Sequence, residues 1–144
     1  QLARQIRGSV GLTSQYALAV DRYHTKLVDQ GIRAGRAAVR SQAYADRLLR
    51  HRAVTIARTE VIRATNAGQQ AVWNDAQQEG LLPFDAQRIW ITTPDDRLCD
   101  ICAPMDGQIV GLQEAFQSSE GPVDYPALHP NCRCAVGIAP QEET

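Results

Sequence analysis

The segment "TSQYALAVDRYHTKLVDQG" spaces Tyr16, Val20, Tyr23 and Leu27 three or four positions apart, the interval that puts side chains on one face of a helix. Thr13 or Ser14 supplies an N-terminal cap, and Gly31 supplies a stop. A second helix is expected from near Arg33 through "AAVRSQAYADRLLR", and a third from about His51 to Glu79, closed by Gly80. The pattern leaves open whether these two are one bent helix. On the third, Ala57, Val61, Ala64, Ala67, Gly68 and Ala71 share a face at about 100° per residue, and Glu60 falls within it. Small residues there predict the close approach of another element. Glu60 either reaches solvent from the edge of that face or pairs with a group from later in the chain: Arg97, Arg133 or His129.

The pattern changes near residue 82, beyond which lie all seven prolines and all four cysteines. "RIWITT" is rich in β-formers and predicts a strand. "PDDRLCDIC" predicts a turn, "MDGQIVG" a tight turn into a short strand, and "GLQEAFQ" a short helix. "SSEGPVDYPALHP" is expected to be a loop and "CRCAVGI" a closing strand, with Cys132 and Cys134 pointing the same way. The class is α+β. A helical half over residues 1–82 precedes a small metal-stabilised module over 83–144 with a two- or three-stranded sheet. So small a sheet has little core of its own, which is where a cross-link contributes most.

Composition narrows the class without naming a function. At 44% hydrophobic and 22% charged the 144 residues are those of a globular chain. No run approaches the roughly 20 consecutive apolar residues that span a bilayer. The opening residues lack the pattern of a secretory signal, and Gln1 in place of Met predicts a piece of a longer chain. Charge is unevenly spread. Residues 1–70 hold twelve basic side chains against four acidic ones, and residues 71–144 hold three against twelve. The first part therefore suits an acidic partner, nucleic acid or an acidic protein surface, unless the two parts attract each other within one assembly. Arg4, Arg7, Arg22, Arg33, Arg36, Arg40, Arg47, Arg50 and Arg52 are the candidate contacts, and a solvated helix face is the plain alternative for each.

The cysteines carry the chemistry. Cys99-x2-Cys102 has the spacing that lets one turn grip a tetrahedral ion twice, and His129-Pro-Asn-Cys132-Arg-Cys134 offers three more donors. Five donors are thus present for four positions. A closed structural zinc site of Cys99, Cys102, His129 and one of Cys132 and Cys134 is the preferred arrangement. Two disulfides, or reduced thiols with no role, are the alternatives. Hydrolysis by Glu60 or the Asp95–Asp96 pair with His129 and a metal is the enzymatic option. Thiolates filling the shell argue against it, and neither a Gly-x-Ser-x-Gly elbow nor a phosphate-cradling glycine loop is present. No enzymatic activity is expected. His24 and His51 stand alone on helices, and the balance of the second half is the wrong sign for a DNA-reading zinc module.

Taken in order, "IARTEVIRATNAG", "RIWITTPDDRLCDIC", "DGQIV" and "YPALHPNCRC" resemble the phage Mu F-like minor head protein family, also called the phage head morphogenesis family, over roughly residues 12 to 138. The resemblance implies a minor structural protein of a tailed phage or prophage, present in low copy. It would be associated with the portal or inner capsid, assisting head assembly and DNA packaging or ejection. It implies that Cys99, Cys102, His129, Cys132 and Cys134 occupy the family's metal-binding positions. The implied partners are portal and capsid proteins and, non-specifically, packaged double-stranded DNA, with no membrane. The implied location is the virion, assembled in the host cytoplasm. The domain also occurs fused to toxin modules, so an effector or toxin-associated metal-dependent hydrolase domain is the alternative role.

Overall fold

The computed structural model describes residue 2 and residues 10–140, so Arg4 and Arg7 lie outside the described residues. The chain divides into two compact units, Gln1–Ala57 and Arg58–Thr144. Among the described residues no helix is long and apolar enough to cross a membrane.

The first unit is an antiparallel helical pair. Helix α1, Ser14–Asp29, starts where Thr13 Oγ1 accepts the Tyr16 N–H at 3.2 Å. It ends at Gly31, whose φ of 77° lets the Ile32 N–H turn back to the Leu27 carbonyl. Helix α2 runs unbroken over Ala34–Gln78, so the two helices expected on either side of residue 50 are one. "LLRHRAV" contains no proline or glycine that would interrupt it. Tyr23 stacks obliquely on Tyr44 with ring centroids 5.0 Å apart. Tyr16 meets His51 at 3.3 Å and His24 meets Ser41 at 3.2 Å. Leu27, Ala37, Ser41, Ala45 and Ala53 are buried, and the small side chains let the helices pack closely.

The second unit begins inside α2 rather than near residue 82, because residues 59–73 of that helix contribute side chains to its interior. The stripe turned inward there is Thr59 and Asn66, both buried, with half-buried Ile62, Gln70 and Trp73; of the alanine-rich face the sequence suggested, Ala57 is buried and Ala67 half-buried. Val61 is 53% exposed and Val72 64%, and Ala64, Gly68 and Ala71 are exposed as well. Polar members disguised the real stripe. Asn66 donates to the Ile62 carbonyl at 2.8 Å and Gln70 donates to the Leu112 carbonyl at 2.9 Å, so each can be covered without losing a partner. Gly80, at φ 74°, closes α2 as expected.

Strand β1, Gln87–Ile91, is the centre of a three-stranded antiparallel sheet, between β2 (Ile109–Gly111) and β5 (Ala135–Ile138). The register pairs Arg88 with Val110 on one side and Trp90 with Val136 on the other. A 3-10 turn, Ala103–Met105, precedes β2. The helix expected over "GLQEAFQ" is instead a turn leading into β3, Phe116–Ser118, which pairs with β4, Gly121–Val123. Seven residues are too few to nucleate a helix. The Gln108 side chain also captures the Gln117 backbone, taking its N–H and donating to its carbonyl. Phe116 is then drawn inward onto Trp90, edge to face at 5.1 Å. Pro122 is tolerated because its strand has a partner on one side only.

Arg88 is 2% exposed and holds this unit together from within. Its guanidinium donates to Gln70 Oε1 at 2.5 Å, to the Asp124 carbonyl at 2.8 Å and to the Glu114 carbonyl, and lies 5.0 Å over the Phe116 ring. Burial lowers its pKa, against the opposing pull of Asp124.

Candidate metal centre

The two cysteine-bearing segments reach the same place because β1 and β5 are neighbours. "RLCDIC" follows β1 through a short loop, and "HPNCRC" runs directly into β5, so the paired ends Ile91 and Ala135 bring them together. Cys132 and Cys134 precede the strand rather than lying on it, and both point inward, at 1% and 5% exposure. Cys102 is also buried, and Cys99 and His129 are half-buried. Trp90, Cys102, Met105, Phe116, Ala127, Cys132, Cys134 and Val136 form one continuous cluster, so the donors are part of the hydrophobic core.

Donor atoms converge in two triads that share a member: Cys99, Cys102 and His129, and Cys102, Cys132 and Cys134, each within 4.8 Å. His129 Nε2 lies 3.2 Å from Cys99 Sγ and 3.1 Å from Cys102 Sγ, and Cys102 Sγ lies 4.0 Å from Cys132 Sγ. Tetrahedral zinc with Zn–S near ~2.3 Å separates its sulfurs by ~3.8 Å, so the sulfur spacing suits such a shell. All four thiols are free in this structure. A cavity of about 20 Å³, room for one small ion, is lined by Cys99, Cys102, His129 and Cys134, with Arg97 and Arg133 at its edge. His129 Nδ1 lies 2.9 Å from the Pro130 carbonyl, to which it donates, leaving the Nε2 lone pair to face the sulfurs. The buried indole N–H of Trp90 has no hydrogen-bond partner among the described residues, and its influence on Cys134 is to lower that thiol's pKa. Such a donor is suited to a sulfur that carries negative charge.

The protons are divided as a thiol cluster requires. The hydrogen bond from Cys134 holds Cys132 down at about 5 against burial, and burial pushes Cys102 up to about 12. Cys134 is raised by its bond to Cys132 and by burial, with the Trp90 N–H opposing. Burial pushes Cys99 up, but hydrogen bonds from Cys102 and the Ile101 backbone leave it lowered on balance. Burial pulls His129 down, and the Pro130 carbonyl with the neighbouring thiolates leaves it raised. Donors of this kind exchange protons for a metal ion.

The five sequence-predicted donors are brought together. Glu60 is not. Its side chain is 52% exposed and faces Arg63 at 3.6 Å, one turn along the same helix, so its expected pairing with Arg97, Arg133 or His129 is replaced by a contact at the surface. The helix is rotated so that Thr59 points inward instead, its Oγ1 accepting the Asn131 N–H at 3.1 Å. Arg97 and Arg133 both turn to Asp95. Arg133 makes two parallel bonds of 2.7 and 2.5 Å to its carboxylate, and Arg97 a longer one of 3.3 Å. Asp95, which the sequence offers with Asp96 as a hydrolytic carboxylate, is here a partner of arginine. An acidic residue four positions before the first cysteine and an arginine between the last two are the signal that pairs them. Of the arginines in the first unit, Arg22, Arg33, Arg36, Arg40, Arg47 and Arg50 are exposed. Arg47 lies over Tyr44 at 5.5 Å, and Arg52 donates to the Gly11 carbonyl.

A sequence model described as Phage Mu protein F like protein matches residues 2–137. The chain belongs to the phage Mu F-like family. Neither the curated proteins nor the solved structures yield a match. Membership makes this Mu F-like chain a phage head morphogenesis protein and a virion component that works among other capsid components. In this Mu F-like chain the cysteine and histidine cluster can hold a metal ion.

Proposed function

We propose that this Mu F-like protein is a non-enzymatic, minor structural component of a tailed-phage head. It would associate with the portal or inner shell and assist assembly and DNA packaging or ejection. Its second unit is held by one structural zinc ion. Thiolate and imidazole donors favour zinc over the hard cations magnesium and calcium.

The observation that carries the structural reading is how the site's polar groups are engaged. Asp95 is occupied by two guanidiniums, Glu60 stands on an exposed face beside Arg63, and the His129 nitrogens face a carbonyl and the sulfurs. Among the described residues, none of those lining the cavity is a carboxylate that could act as a base on a metal-bound water.

The partner surface is the arginine face of the first unit. At about 100° per residue, Arg33, Arg36, Arg40 and Arg47 fall within an arc of about 60°, and Asp46 lies about 100° away from Arg47. Four exposed cations on one helical edge suit the phosphates of duplex DNA without reading its sequence, or an acidic portal surface. Duplex retention by the full chain as salt is raised tests the first. Retention that falls steeply with salt, and is lost in an Arg36→Glu/Arg40→Glu/Arg47→Glu variant of unchanged helicity, supports it. Retention equal to a neutral control at low salt removes DNA as the partner.

A further inference from the structure

The carboxylate of Asp95 draws together the two segments that supply every metal donor, and we propose that it is the positioning residue of the centre. Asp95 lies in the loop after β1, four residues before Cys99. Arg133 lies between Cys132 and Cys134. The two residues are 38 positions apart, and their fork-to-fork pair spans the site from one ligand-bearing segment to the other. Asp95 also accepts the Arg97 N–H at 3.0 Å, which fixes the turn that leads into Cys99 and Cys102. Its own carbonyl accepts the Leu98 N–H at 3.0 Å.

Two consequences follow for the ion. First, the distance between the two segments is set by a contact that does not involve the metal, so the donors are convergent before it arrives. A surface ion pair between flexible side chains contributes little. This one is bidentate, and its members are only 28% and 33% exposed. Second, Arg97 and Arg133, the two arginines that Asp95 holds, are among the residues lining the cavity. Three thiolates and an imidazole around a divalent ion leave a net negative charge, which fixed guanidiniums at the rim offset. Both Asp95 oxygens are engaged by arginine, so it positions the donors and does not ligate.

This inference rests on the metal reading above, and the experiment separates the two. Zinc affinity of the full chain is measured by chelator competition for wild type, Asp95→Ala, Arg133→Ala, the double variant and Arg133→Lys. Cobalt absorption of each reports the coordination geometry, and circular dichroism of each metal-free protein reports folding. Each alanine variant is expected to bind zinc about 10- to 100-fold more weakly, with altered cobalt bands and unchanged metal-free helicity. The double variant should be no weaker than the weaker single, and lysine, which keeps the charge but not the fork, should not restore affinity. Should Asp95→Ala lose its fold, Asp95→Asn takes its place. Wild-type affinity and spectrum in Asp95→Ala, or losses in the double variant that multiply, would overturn the positioning role while leaving the metal reading intact. Wild type that takes up neither zinc nor cobalt overturns both.

Discussion

Thr59 Oγ1 accepts the backbone N–H of Asn131 at 3.1 Å, across 72 residues of sequence. Asn131 has a φ of 61°, in the left-handed region where asparagine is among the few residues at ease. The bond therefore fixes an unusual bend between His129 and Cys132 to the side of α2. In "RTE", threonine rather than glutamate reaches the site. Thr59→Val, which keeps the shape and removes the acceptor, should cost about 1–2 kcal/mol in urea unfolding of the full chain. Thr59→Ser should recover most of it.

Glu60→Gln should change stability by no more than about 0.5 kcal/mol and leave metal affinity at its wild-type value. Its side chain is half-exposed and its ion pair with Arg63 is a 3.6 Å contact. Parallel urea and chelator titrations check both. A large loss in either would mean that the helix is turned differently about its axis.

Arg88→Met should destabilise the second unit by about 3 kcal/mol, since it removes a buried guanidinium and its bonds to Gln70, Glu114 and Asp124 at once. Lysine should be little better, because one ammonium does not reproduce the spread of a guanidinium. Denaturant midpoints of the metal-loaded full chain decide this. A variant as stable as wild type would show that the three acceptors find other donors.

Metal affinity should rise with pH. Cys102, pushed up to about 12, and Cys134, also raised, carry protons across the neutral range, and a metal that binds either sulfur must displace its proton. Cys132, at about 5, is already a thiolate there and adds little dependence. Chelator competition between pH 6 and 8 is expected to show about a tenfold gain per pH unit for each proton released. A flat profile would mean that the buried thiols take no part.

Chelation of the loaded protein should release about one ion per chain and lower the thermal stability of the second unit, while the α1–α2 pair keeps its helicity. Far-ultraviolet circular dichroism and near-ultraviolet tryptophan signals follow the two separately, since Trp73 and Trp90 both belong to the second unit.

Much of this was legible in the sequence because it depends on local rules. Thr13, Gly31 and Gly80 mark helix ends by short-range hydrogen bonding, and "RIWI" becomes a strand through its β-branched and aromatic residues. The five metal donors could be named from spacing because a tetrahedral ion constrains its ligands so tightly. What escaped was governed by contacts far apart in sequence. Gln108 determines what residues 115–117 become, and Gln70 with Arg88 conceals a buried stripe beneath polar letters. The six small or apolar positions from Ala57 to Ala71 looked like an interior face because alanine and glycine do not reveal which side of a helix they occupy.

Cys102, Cys132 and Cys134 lie in the same packed cluster as Trp90 and Phe116. A domain built in this way aligns its donors in the same event that packs its interior, because the sulfurs are among the side chains that must pack. Replacing any of these three cysteines would then remove packed volume as well as a donor, two losses from one change.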